Sequence, residues 1–104
     1  MIEPFFAAFD VASGVLTVRG ELDEGTAPHV YALRFGEARV RHIDAAGVTF
    51  LGAGGVTALL DCCKSVPTTI DASPQVRRLI ELCALDHILV VVPHTPKTPA
   101  TLET

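Results

Sequence analysis

The sequence predicts an α/β domain with an opening β-hairpin followed by parallel strands with helical crossovers. Three observations carry this. Ser13-Gly14 places a very short turn between two apolar runs, and so short a connection returns the chain antiparallel. Apolar residues then recur twice at i, i+3, i+4 and i+7, the spacing of one helix face: Val56, Leu59, Leu60 and Cys63, then Val76, Leu79, Ile80 and Cys83. Short β-branched runs separate these helices, and strand–helix alternation calls for a parallel sheet with right-handed crossovers.

Each element has its own justification. Phe5-Phe6-Ala7-Ala8-Phe9 is apolar and reads as the first strand. Val15 to Arg19 alternates as a half-buried strand should, and Gly20-Glu21-Leu22-Asp23 closes it. Thr26 is placed to cap a helix with Pro28 in its first turn, and that helix runs to about Gly36. Arg39 to Ala45 carries charge at alternating positions, as a strand with one wet face does. The stretch from Ile43 to Leu60, IDAAGVTFLGAGGVTALL, reads as the end of a buried strand, a short crossing, a bend at Gly52, Gly54 and Gly55, and a helix. Val66-Pro67 breaks the helical pattern, and Thr68 to Asp71 forms a fourth strand. Ser73 then caps a helix that begins with Pro74 and turns Arg77, Arg78 and Glu81 outward. His87 to Val92 gives the last strand. Residues 1–92 thus make one domain, and residues 93–104, with Pro93, Pro96 and Pro99, read as an extended Pro/Thr-rich tail.

Composition narrows the function. With 104 residues, 49% hydrophobic and 19% charged, the chain suits one compact core and is too apolar to be disordered. A formal charge of −4 without any Lys/Arg run argues against a nucleic-acid footprint. The apolar runs are short and broken by charge, so no bilayer-spanning segment and no signal peptide is expected. Three cysteines, two of them adjacent at Cys62-Cys63, suit a reducing compartment, and a cytoplasmic location follows.

No constellation for catalysis emerges. Ser13, Ser65 and Ser73 each serve a turn, helix end or cap, and no G-x-S-x-G elbow is present. His29, His42, His87 and His94 are scattered without metal-ligand spacing, and the cysteines lack C-x-x-C and read as core residues. No enzyme activity, cofactor or metal is therefore expected. The glycine loop matches neither nucleotide-binding pattern. It reads first as a tight strand-to-helix joint and second as an anion cradle, and the second would make the chain a ligand sensor.

Three segments resemble the STAS domains, the sulfate-transporter and anti-sigma-factor-antagonist family. GVTFLGAGGVTALL resembles the family's VTFxDSSGLxxLL, SPQVRRLIELCALDHIL its SPxVRRxLELxGLDxxL, and Gly20-Glu21-Leu22-Asp23 the tetrapeptide leading into its first helix. The resemblance implies a STAS-type β/α superhelix and a protein-binding regulatory module of the anti-sigma-factor-antagonist type. Its partner would be an anti-sigma factor of the serine-kinase type or another regulatory protein. Docking would use Gly20, Glu21, Leu22 and Asp23, the loop Gly52, Ala53, Gly54 and Gly55, and the exposed side of the following helix. In the family the first Ser of the DSS triplet is phosphorylated. Ala53 stands at that position here, with Gly52 for the Asp and Gly54 for the second Ser. This departure from the family implies a binder that is not switched at the usual site, with Thr49 and Thr57 as stand-ins for the missing Ser to weigh, and a monomer is expected. STAS domains also serve as regulatory subunits of phospholipid ABC transport assemblies, which is the alternative role.

Overall fold

Asp10 shapes the opening turn. Its carboxylate accepts the Ala12 amide at 3.1 Å and the Ser13 hydroxyl at 2.9 Å, and Gly14 takes the positive φ of 75° that closes the hairpin. The computed structural model describes residues 4–33, 39–64 and 66–92. Its elements are β1 (Phe6–Asp10), β2 (Val15–Leu22), α1 (Ala27–Tyr31), β3 (His42–Leu51), α2 (Ala53–Cys63), β4 (Thr68–Ala72), α3 (Pro74–Leu82) and β5 (Leu89–Val91). The sheet order is β1-β2-β3-β4-β5, with β1 antiparallel to β2 and every later pair parallel. This is the hairpin-then-crossover arrangement expected from the sequence.

One core serves the whole sheet. Leu16 and Val18 of β2, Ile43, Ala45 and Val48 of β3, and Ile70 of β4 point into it, and Val30, Leu59, Val76 and Ile80 reach it from the helices. The alternate strand positions Thr17, Asp44 and Asp71 sit side by side on the other face and are only half-buried. Burying a side chain the size of Leu22 or Leu59 contributes about 1.5–3 kcal/mol, so this cluster dominates stability.

The largest departure from expectation is β3. The expected short crossing does not exist, because the chain continues as strand through Leu51. Its inward residues are Ile43, Ala45, Val48 and Leu51, with spacings of two, three and three. Two irregularities in the pairing with β2 cause the slips: Thr17 meets Asp44 but Arg19 meets Gly47, and Gly20 meets Val48 but Glu21 meets Phe50. Each inserts one extra residue on β3, as a β-bulge does. At the first, the Asp44 carboxylate accepts the Ala46 amide at 3.2 Å. A strand that drops its period of two resembles a coil when read as sequence.

The helices correct smaller points. α1 ends at Tyr31, with Ala32 and Leu33 already in turn and bend, so it is shorter than the helix to Gly36 that the sequence suggests; Gly36 itself lies outside the described residues. Thr26 precedes α1 but does not cap it; its hydroxyl donates to the Glu21 carbonyl at 2.7 Å and accepts the Asp23 amide at 3.0 Å. In α2 the bend is confined to Gly52, and Gly54 and Gly55 are already helical. Its buried residues are Gly55, Ala58, Leu59 and Cys63, with Val56 and Leu60 half-buried, so the stripe is rotated from the expected one. Ser73 does cap α3, accepting the Val76 amide at 3.4 Å, and Pro74 starts it. Cys83, expected in the core, lies one residue past α3 and is exposed. Arg77, expected to face away, is half-buried.

Leu59→Ala is expected to cost about 2–5 kcal/mol, because the side chain is fully buried and its surroundings close only partly over the cavity left behind. Exposed Arg78→Ala should stay within about 0.5 kcal/mol. Urea midpoints of the two variants check both; equal midpoints would refute the placement of this helix face.

Candidate docking surface around the glycine loop

The first turn of α2 is pressed against the loop that follows β2. The Gly52 amide donates to the Leu22 carbonyl at 2.9 Å, and the Gly52 carbonyl accepts the Val56 amide at 3.0 Å. A Cβ on Gly55 would collide with the Leu22 carbonyl oxygen, and one on Gly54 would stand 2.8 Å from the Glu24 Cα. Neither glycine has a positive φ. What they supply is close approach rather than an unusual backbone angle.

The opposing loop is held by its own polar groups. One Asp23 carboxylate oxygen accepts the Gly25 amide at 2.9 Å and the Thr26 amide at 3.1 Å. With the two Thr26 hydroxyl bonds, this fastens the chain from Glu21 to Thr26 before α1 begins. Beyond it, the exposed Tyr31 hydroxyl donates to the Asp61 carboxylate at 2.6 Å, joining α1 to α2. That bond, ahead of burial and the Asp61 charge, raises the phenol above its ordinary range.

The eight residues expected at the surface divide by burial. Glu21 and Ala53 are exposed, and Asp23, Gly52 and Gly54 are half-buried. Leu22 is fully buried and offers only its carbonyl, to Gly52. Gly55 is buried under Leu22. Gly20 takes a φ of +89°, and the position of its missing Cβ lies 3.1 Å from the Phe5 Cα. These three shape the surface from below. Thr49 and Thr57 are exposed, and the Thr57 hydroxyl donates to the Ala53 carbonyl at 3.2 Å.

Sequence reading missed Phe50, a residue that is 52% exposed. A Cβ on Gly52 would stand 3.3 Å from the Phe50 ring and 3.3 Å from the Asp23 Cβ, so Phe50, Gly52 and Asp23 form one continuous patch. The signal was present but masked: an aromatic inside an apolar stretch reads as core until the β3 bulges turn it outward. The result is an aromatic ring beside a side-chain-poor loop, bordered by Glu21, Asp23 and Glu24. Nothing in this patch pairs an acid with a base or a nucleophile.

The remaining candidates are dispersed. The His29 ring lies 5.6 Å from that of Phe5, and His42 Nδ1 is 2.7 Å from the Thr69 hydroxyl. His94 lies outside the described residues. Among the described residues no group of three His, Cys, Asp or Glu side chains is arranged to hold a metal. Burial, followed by the adjacent Cys63, pushes the Cys62 thiol up to about 11, and burial also raises Cys63.

Two outcomes follow. Gly55→Ala should destabilise by about 1–3 kcal/mol, since the new methyl group meets a backbone carbonyl that cannot rotate away; thermal melts measure it, and an unchanged midpoint would refute the close approach. Exposed Cys83 should alkylate first with iodoacetamide at neutral pH. Cys62 should lag until the pH approaches about 11, because only the thiolate reacts. Peptide mapping over a time course distinguishes the sites, and faster labelling of Cys62 than of Cys83 would contradict it.

No protein-family model matches this chain, and no curated protein matches its sequence. Among solved structures it is similar to the crystal structure of an anti-sigma factor antagonist from Mycobacterium paratuberculosis, with a TM-score of 0.66 and 25% sequence identity. The match covers 90% of this chain and 92% of that one. Among the described residues the five strands and three helices thus form a mixed α/β fold that matches the STAS-type fold of that structure.

Proposed function

We propose that this chain is a protein-binding regulatory module acting as an anti-sigma factor antagonist, and that its partner is an anti-sigma factor of the serine-kinase type. The observation that carries the reading is the half-exposed Phe50 beside the open loop Gly52–Gly54, on a fold shared with such an antagonist. Buried aromatic anchors dominate interface energies, and a loop without bulky side chains lets a partner approach the backbone. Glu21, Asp23, Ala53 and the outer side of α2 at Thr57 complete the surface. Among the described residues no helix is long and apolar enough to cross a membrane. We take the module to work as a monomer in the cytoplasm, without catalysis.

Control by phosphate at the loop is absent on this reading. Ala53 is exposed at the start of α2 but offers only a methyl group. A phosphate there would bring about −1.5 to −2 charges beside Asp23 and Glu24, which explains how such a group expels a partner where it does form. Restoring the full family triplet would not be neutral. Ala53→Ser adds only a hydroxyl to an exposed methyl group, whereas Gly52→Asp would crowd the Asp23 Cβ and the Phe50 ring, each 3.3 Å from the new Cβ, and a side chain at Gly54 collides with the Glu24 backbone.

The test uses the host's serine-kinase anti-sigma factor, with calorimetry for binding and intact mass for modification. Wild-type chain should bind and keep its mass when ATP is added. Phe50→Ala should weaken binding by more than about 1 kcal/mol without lowering the melting temperature. Ala53→Ser should gain a phosphate and release the partner. Absence of binding would overturn the reading, and a phosphate on wild-type Thr49 or Thr57 that releases the partner would overturn the claim of a constitutive binder.

A further inference from the structure

β3 outruns its neighbour. β4 pairs with it only from His42 to Ala45, and the Ser73 amide ends the contact by donating to the Ala45 carbonyl at 3.3 Å. β2 stays paired with β3 to Leu51. From Ala46 onward, the side of β3 that had faced β4 pairs with no other strand among the described residues. Backbone N–H and C=O groups on such an edge are a template for another extended chain.

Beside this edge lies a cleft of about 630 Å³, lined by Ala46 at one side and by Asp71, Ser73, Gln75, Arg77 and Arg78 at the other. Arg77 is half-buried, and its Nε is shut off from solvent with no hydrogen-bond partner among the described residues. Buried donors are almost always met in folded proteins. Asp71 and Glu81 line the same cleft, yet neither accepts from this nitrogen. This Nε is therefore left unsatisfied by the described residues, while the half-buried side chain keeps part of its guanidinium open to the cleft.

We propose that this cleft docks an extended, acidic segment of a partner protein, which adds as a strand beside Gly47–Phe50, past the Ala46 amide already taken by Asp44, and sets one carboxylate on the Arg77 guanidinium. The strand edge requires backbone groups, which a peptide has and a free carboxylate lacks. The guanidinium requires an anion, for which its planar fork is the best donor among side chains. Asp71 limits the segment to one carboxylate at the Arg77–Arg78 side, since a second would face like charge. This surface reads main chain and a carboxylate, and it is separate in chemistry from the Phe50 patch.

The experiment titrates the isotopically labelled whole chain with acetyl-TVEVT-amide and with its glutamine counterpart, acetyl-TVQVT-amide, following amide and arginine Nε–H resonances by NMR. The acidic peptide should move the amides of Gly47 to Phe50 together with the Arg77 Nε–H signal. The glutamine peptide should bind roughly tenfold more weakly, as loss of a charge-assisted hydrogen bond requires, and Arg77→Gln should erase the difference between the two. N-methylation of alternate backbone amides in the acidic peptide should abolish binding. Three results would each overturn the proposal: no shifts up to millimolar peptide, equal affinity for both peptides on the wild-type chain, or binding that survives N-methylation. Should Arg77→Gln lose its dispersed spectrum, the peptide pair on the wild-type chain decides alone. This test does not involve the anti-sigma partner, so its outcome is independent of the proposed function.

Discussion

The contact between the end of β2 and the first turn of α2 is the constraint on which the rest depends. Only a hydrogen atom at Gly55 lets the helix lie against the Leu22 carbonyl, and only one at Gly54 leaves room for the Glu24 backbone. That closeness allows the Gly52 amide to bond Leu22, which fixes where β3 stops and α2 starts. It also pins the loop from Glu21 to Thr26, so the two segments that build the candidate docking surface are packed directly on each other. The Asp23 and Thr26 bonds reinforce the loop from its own side, and Tyr31 with Asp61 ties the far ends of α1 and α2 together.

β3 is the second organising element, and its irregularity matters more than its length. Two bulges against β2 lengthen one strand relative to the other and increase local twist. The extra residues carry Phe50 to the surface while Val48 and Leu51 stay buried. They also let β3 continue after β4 has turned into α3, which opens the cleft near Ala46. Both surfaces therefore lie toward the C-terminal ends of the central strands, where open parallel sheets commonly bind their ligands. A regular β3 ending level with β4 would present neither.

The two surfaces differ in physical character. Around Phe50 an apolar ring is bordered by acids and a loop with almost no side chains, which favours a close-packed protein contact. Beside α3 the groups are an open strand edge and an arginine with an unmet donor, which favour directional hydrogen bonds. The first is the surface to which the proposed function assigns a partner. The second rests on this chain's own geometry.

Local patterns in the sequence determined the element types. The Ser13-Gly14 turn gave the hairpin, the Ser73-Pro74 pair gave the start of α3, and period-2 and period-3.6 spacings separated strands from helices. These signals depend on a residue's own conformational preferences and near neighbours, so they survive without a tertiary structure. The glycine loop was legible as a joint for the same reason. Which glycines turn and which merely make room was not legible, because that depends on Leu22 and Glu24, some thirty residues away in the chain. The full reach of β3 was hidden because bulges break the period that identifies a strand, and the burial of Arg77 because it depends on where α3 crosses β3. Phe50 and Cys83 show the same limit in single residues: an apolar side chain states what it prefers, and only the packing of distant segments decides whether the fold has room for it.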